Sequence, residues 1–286
     1  MDRHAPWSSY LALGDSFTEG LWDVVDDDGA PSPDLSAWAT AHPHDPGVAH
    51  LRLRGWADVL AAHLADRRPD GESLHYANLA IRGRLLPAVV AEQVPIALEM
   101  KPDLVSLVAG GNDILRPAVD IDAIAHTLEE AVVALRGAGT DVLLATGVNS
   151  HGAAIISSTR SRVGVFNSHV WSIARRHGAH VLDVWGMRSL ADWRMWSADR
   201  IHLVADGHAR VAQAALVGLG LEPDDAAWDD PLTPLDPLPA RERLAADGAW
   251  LREHAYPWAT RRLRRRSSGD ARVPKQPDLE LVTRST

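Results

Sequence analysis

Five short apolar runs alternate with stretches of helical periodicity through the first three quarters of the chain, and this alternation limits the available folds more than any other feature. The runs lie at Tyr10–Leu13, within Ser73–Ala80, and at Asp103–Ala109, Val142–Thr146 and Val181–Val184. Their length and content suit strands buried on both faces of a sheet. Between them apolar residues recur at helical spacing: Trp56, Val59, Leu60 and Leu64 over Gly55–Arg67, Ile121, Ile124, Leu128, Val132 and Leu135 before Gly137 and Gly139, then Phe166, Val170 and Ile173. Strands alternating with helices predict a parallel sheet with helices on both faces. A helix is also expected over Leu85–Met100, with Pro87 in its first turn and Pro95 kinking or splitting it. Another is expected from about Gly207 to Leu219.

The segments just past the strands are as telling as the strands themselves. The first run ends in Gly14-Asp15-Ser16-Phe17-Thr18-Glu19-Gly20, which sets a serine at the strand's carboxyl end between residues that tolerate a tight turn. The second leads into Ile81-Arg82-Gly83-Arg84 and the third into Gly110-Gly111-Asn112-Asp113. In open α/β sheets the carboxyl edge is where ligands bind. Taken singly, these residues have ordinary readings: Ser16 and Asn112-Asp113 as helix caps, and Gly83 as a turn glycine.

Ester hydrolysis by serine needs a hydroxyl nucleophile, a base for its proton, a group that orients the base, and donors for the oxyanion. Ser16 is the candidate nucleophile. Ser197-Ala198-Asp199-Arg200-Ile201-His202 offers a base in His202 and, three residues earlier, an orienting carboxylate in Asp199; a surface ion pair is the plainer alternative. The backbone N–H groups of Ser16 and Gly83 and the carboxamide of Asn112 are candidate oxyanion donors.

In order and spacing these four blocks resemble those of the SGNH (GDSL) hydrolases, over roughly residues 8 to 220. The resemblance implies a flavodoxin-like three-layer α/β/α sandwich with a mostly five-stranded parallel sheet. It implies Ser16, Asp199 and His202 as the catalytic triad, Ser16, Gly83 and Asn112 as the oxyanion hole, and no metal or organic cofactor. Phe17 stands where the family's eponymous motif has leucine. The extensions of the chain resemble those of actinobacterial cytosolic members.

Two segments fall outside the repeating pattern. Leu21–Arg54 reads as a long irregular insertion beside the nucleophile, the kind of loop that shapes or covers a pocket. Its His42, His44, Asp45 and His50 do not read as a metal site, because prolines flank His44 on both sides and hinder convergence of the ligands. Its Trp22 and Trp38, with the neighbouring Trp56, suit either stacking on sugars, lining an acyl pocket, or packing of the loop. Residues 221–286 form the second segment: a linker or wrapped arm with five prolines and six acidic residues between Glu222 and Pro239, a helix over about Ala240–Arg252, and a basic tail around Arg264-Arg265-Arg266 with a disordered end.

Composition narrows the function classes. A formal charge of −9 argues against nucleic acid as a partner, since phosphate binding draws on basic patches. The absence of cysteine excludes disulfides and thiolate chemistry and fits a reducing cytosol. The opening residues carry no apolar secretory segment and no run is long enough to span a bilayer, so a cytoplasmic location without membrane insertion is expected. Arginine used almost to the exclusion of lysine suggests a GC-rich bacterial genome. The expectation is therefore a bacterial serine esterase acting on a small-molecule ester through an acyl-enzyme, with small acyl groups favoured because no long apolar helix announces a lid. The alternatives are a binding or scaffold protein on a degenerate hydrolase fold, and an acyltransferase.

Overall fold

A computed structural model describes the chain except for residues 1–3, 44, 150–155, 237–238, 257–268, 271 and 285–286. The elements follow in order: β1 (Ser9–Gly14), α1 (Ser16–Glu19), β2 (Val24–Val25), α2 (Pro33–Ala41), β3 (Arg52–Leu53), α3 (Trp56–Asp66), β4 (His75–Asn78), α4 (Leu86–Met100), β5 (Leu104–Val108) and α5 (Gly111–Ile114). Then come α6 (Ile121–Gly137), β6 (Asp141–Ala145), α7 (Arg160–His177), β7 (His180–Leu182), α8 (Ala205–Gly218), α9 (Ala240–Trp250) and β8 (Gln276–Leu281).

The main sheet has six strands in the order β7-β6-β5-β1-β4-β8. All pairs are parallel except β4 with β8. The five parallel strands are those expected from the apolar runs, and their order is the doubly wound one in which the chain reverses direction between β1 and β5. Successive residues of β1 serve opposite faces. Tyr10 and Ala12 join a core with Trp56, Leu60 and Leu64 of α3 and Val211 and Leu216 of α8. Leu11 and Leu13 join the core that α4, α6 and α7 build on the other face. This is the three-layer arrangement, and it explains why β1 is apolar throughout rather than alternating.

Two expectations need correction. Pro95 neither splits nor ends α4, which runs from Leu86 to Met100. The helix is held by buried Leu86, Val89, Val94 and Ala97, while Pro95 and Ala91 face solvent, where water can take the carbonyl that proline leaves unbonded. The Leu21–Arg54 insertion is not irregular: β2 and β3 pair antiparallel, α2 packs on β2, and Leu21, Trp22, Val24, Ala39 and Val48 form a small core of their own. A sixth strand joins those expected: β8 lies antiparallel on the edge strand β4. Its largely exposed residues carry no buried run, which is why the sequence predicts no strand there.

The acidic stretch after residue 221 is bound to the body through Arg67 with Asp224 (2.6 Å) and Arg188 with Asp229 (3.3 Å). Just before β8, Lys275 Nζ donates to the carbonyls of Glu19 (2.8 Å) and Leu53 (3.1 Å) and to Asp58 Oδ2 (2.6 Å), tying the tail to α1, the insertion and α3. Arg264, Arg265 and Arg266 lie outside the described residues. Among the described residues no helix is long and apolar enough to cross a membrane.

Candidate active site

The strand order puts the ends of β1 and β5 side by side, so Ser16 and Asn112 meet at the switch point of the sheet. Gly14 makes that approach possible: a Cβ there would come within 2.4 Å of the Val108 carbonyl oxygen and 2.7 Å of Thr18 Oγ1. Its backbone instead exchanges two hydrogen bonds with the buried carboxamide of Gln93, at 2.8 and 3.0 Å. Asp15 caps the short α1, accepting from Phe17 N–H at 3.1 Å, and the half-buried Ser16 opens it.

His202 reaches Ser16 from the loop before α8. Its Nε2 lies 3.0 Å from Ser16 Oγ and its Nδ1 2.7 Å from Asp199 Oδ2. An ionised carboxylate only accepts, so the Nδ1–H donates to Asp199 and Nε2 is left to accept from the serine hydroxyl. The three sequence candidates for the triad are thus joined in one chain of hydrogen bonds. Asp199 accepts four further bonds: from Trp22 Nε1 (3.0 Å) at Oδ2, and from Ser197 Oγ (2.6 Å), Ile201 N (2.9 Å) and His202 N (3.0 Å) at Oδ1. Burial by itself raises its pKa, but the His202 charge and the hydrogen bonds from His202 and Ser197 outweigh burial and hold the carboxyl well below the usual range.

Asn112 donates through Nδ2 to Asp15 Oδ2 (2.9 Å) and to the Arg84 carbonyl (3.2 Å). Its amide therefore bridges the β1 turn to the Gly83 turn. Gly83 itself adopts φ +74°, a conformation that favours glycine, one residue before the carbonyl that Asn112 holds. The turn is braced from below, where Arg82 N–H donates to Glu19 Oε2 at 2.6 Å and the Arg82 guanidinium forms a buried ion pair with Glu19. That guanidinium also lies over the Trp22 ring, 5.4 Å from its centroid. Asp113 has the capping role its sequence position suggested, but for another helix: its Oδ2 accepts from Leu86 N–H at the start of α4, 2.9 Å away.

Asp15 combines burial with a carboxylate neighbour. Burial pushes its carboxyl up to about 6, against the opposing pull of the Phe17 N–H, the His202 charge and the Asn112 amide. The amide of Asn112 is thus held by a second acid that titrates near the working range of a histidine base.

A cavity of ≈ 330 Å³ opens beside these groups. Asp15, Ser16, Asn112 and His202 line its reactive end, and Gly83 does not line it. Most of its remaining wall is apolar, including Ile114, Val163, Phe166, Leu190, Trp193 and Trp250. No described residue of the Leu21–Arg54 insertion lines it. Trp22 and Trp56 are buried and Trp38 stacks on His42, so these tryptophans pack the protein rather than the cavity. His42 Nδ1 bonds to the Trp38 carbonyl (2.9 Å) and Asp45 caps a turn at Gly47 N–H (2.7 Å); His44 lies outside the described residues. Among the described residues no group of histidines and carboxylates could hold a metal ion.

The bonds that Trp22, Ser197 and Trp250 make to Asp199 are the part of the site that sequence reasoning missed. Ser197, two residues before Asp199, had a local signal as a side chain able to bond within its own turn. Trp22 and Trp250, whose Nε1 donates to the Asp199 carbonyl at 2.9 Å, lie 177 and 51 residues away from that aspartate and had none.

A family model for the GDSL-like lipase/acylhydrolase family matches residues 12–210. Among solved structures, the chain is similar to LAE5, an alpha/beta hydrolase enzyme from the metagenome of Lake Arreo, Spain, at 24% identity and TM-score 0.57 over 76% of this chain and 96% of that one. It is also similar to an acetyl xylan esterase from Geobacillus stearothermophilus at 19% identity and TM-score 0.56, covering 79% of this chain and all of that one (100%). A third likeness is to TesA, at 22% identity and TM-score 0.51 over 74% of this chain and 97% of that one. At these identities the likeness is one of fold. No curated protein matches the sequence.

Proposed function

The chain belongs to the GDSL-like lipase/acylhydrolase family, and from that premise we propose that it is a serine esterase working through an acyl-enzyme on Ser16. The single observation that carries this reading is the chain of hydrogen bonds from Ser16 Oγ through His202 to Asp199, at 3.0 and 2.7 Å.

In this reading Ser16 Oγ attacks the ester carbonyl carbon as its proton passes to His202 Nε2. The imidazolium that forms is stabilised by Asp199, whose depressed pKa keeps it ionised throughout. The carbonyl oxygen becomes an oxyanion that accepts from the Ser16 N–H and from Asn112 Nδ2; Gly83, the third donor expected from the sequence, does not line the cavity and is not needed for this step. For that, Asn112 exchanges one of its present acceptors for the substrate, and the longer bond to the Arg84 carbonyl is the one more easily given up. Collapse of the tetrahedral intermediate breaks the C–O bond to the alcohol, which leaves with the proton from His202. Water, deprotonated by the same histidine, then releases the acid and restores Ser16.

The preference for small acyl groups rests on the lack of a long apolar helix in the sequence. The apolar wall beside Ser16 instead supports a substrate with more hydrocarbon than an acetyl ester carries.

Intact-mass spectrometry after exposure to a fluorophosphonate tests the mechanism. One adduct is expected on wild type, none on Ser16→Ala, and much slower labelling of His202→Ala, with turnover of p-nitrophenyl esters lost in step. Labelling of Ser16→Ala at the wild-type rate would exclude Ser16 as the nucleophile.

A further inference from the structure

We propose that the C-terminal arm, which lies beyond the family match, contributes a specificity-determining residue, Trp250, to the cavity beside Ser16, and that this cavity holds a linear apolar chain of the ester substrate. The inference rests on the esterase reading.

Helix α9 is a polar helix with little to bury; Leu244 on it is 72% exposed, so no apolar stripe holds it to the body. Among the described residues, two side-chain hydrogen bonds attach it instead, and both fall on the loop that carries the acid and base. Asp247 Oδ1 accepts from Arg200 Nη1 at 2.7 Å, and Trp250 Nε1 donates to the Asp199 carbonyl at 2.9 Å. The Arg200 guanidinium sits between two tryptophans, 5.6 Å from the centroid of Trp193 and 5.3 Å from that of Trp250. All three residues line the cavity. Upstream, Arg194 holds the Thr233 carbonyl at 2.8 Å, so the arm is already on the body before α9 begins. The helix thus brings one aromatic wall to a cavity whose other walls come from the sheet edge, α5, α7 and the loop between β7 and α8.

The cavity's chemistry selects the occupant. Asp15, Ser16, Asn112 and His202 stand at its reactive end, and the rest of the lining is mostly apolar, with Ile114, Val163, Phe166 and the tryptophan rings, and with Thr146, Asn149, Thr159 and Arg200 as its other polar members. A sugar there would find few partners for its many hydroxyls, whereas a hydrocarbon chain gains from burial against the larger apolar share of the wall. The chain can belong to the acid or to the alcohol half of the ester, and the same wall serves either.

Two ester series separate these sources: p-nitrophenyl acetate, butyrate, octanoate and dodecanoate, and the acetates of ethanol, butanol and octanol. In wild type, kcat/KM is expected to rise roughly fourfold for each methylene that enters the cavity. The series that rises identifies the half that is bound. Trp250→Ala should lower the octyl-to-short ratio in that series by about tenfold or more. Asp247→Ala, which touches no cavity residue except through Arg200, should move it the same way and less. Flat rates in both series, or an unchanged ratio in Trp250→Ala, would overturn the inference while fluorophosphonate labelling of Ser16 left the esterase reading standing. Calorimetric titration of the Ser16→Ala protein with decanoic acid reads the cavity without turnover. Binding that a further Trp250→Ala weakens about tenfold supports the assignment, and unaltered affinity refutes it.

Discussion

Replacing Asp15 by asparagine should make the protein's stability less sensitive to pH in a direction fixed by the site. Asp15 is buried, and burial pushes its carboxyl from the ordinary 3.8 up to about 6. The folded protein therefore holds a proton there that the unfolded chain has released between these values. A group raised in the fold contributes stability that is fully present below the unfolded value and lost as pH rises through the folded one. The difference of roughly two pH units corresponds to about 3 kcal/mol between pH ~3 and ~8, carried by this one group. Asparagine does not titrate and removes that dependence. It also has only one acceptor oxygen for the two donors now on Asp15, Phe17 N and Asn112 Nδ2, at a cost of about 1–3 kcal/mol that does not vary with pH. Urea unfolding of both proteins across this range isolates the term, since all other groups cancel in the difference. Wild type minus variant should fall by about 3 kcal/mol from the acid to the neutral end. A difference that stays level, or rises with pH, would show that Asp15 is not the raised acid.

Two further outcomes are expected at neighbouring residues. Trp22→Phe removes a donor to the charged Asp199 while leaving its other partners, and a lost charge-assisted bond of about 1.5–3 kcal/mol should lower kcat by roughly tenfold to a hundredfold with KM little changed; steady-state kinetics on the folded variant checks this, and an unaltered kcat would remove Trp22 from the site. Glu19→Ala removes the carboxylate that pairs with the buried Arg82 guanidinium and accepts from the Arg82 N–H, so chemical denaturation should show a loss of about 1–3 kcal/mol, and unaltered stability would refute the bracing role.

Much of the layered fold could be read from the chain because it is written in local periods. Strands buried on both faces need continuous apolar runs, and helices on a sheet need apolar residues every three or four positions. β8 escaped because an exposed edge strand has no such run, and Leu21–Arg54 because short strands and one short helix around a small core leave only a weak period. At the site, Asp199 and His202 could be paired by eye since three residues bring them within one turn, and Ser16 and Asn112 because each follows a strand. The partners of Asp15 could not: its burial, and the bridge through Asn112 to Arg84, depend on β1 lying beside β5 and on the turn after β4.

The sequence by itself therefore determined which chemical groups stand at the carboxyl ends of which strands, since strand and helix periods and turn residues act over a few positions. Only the tertiary structure decided that a tryptophan from the insertion and another from the C-terminal arm would both bond Asp199, one at its carboxylate and one at its carbonyl, and that the arm would wall the cavity. Such contacts depend on distances of about 3 Å between segments far apart in the chain, and a local pattern carries no information about separations of that kind.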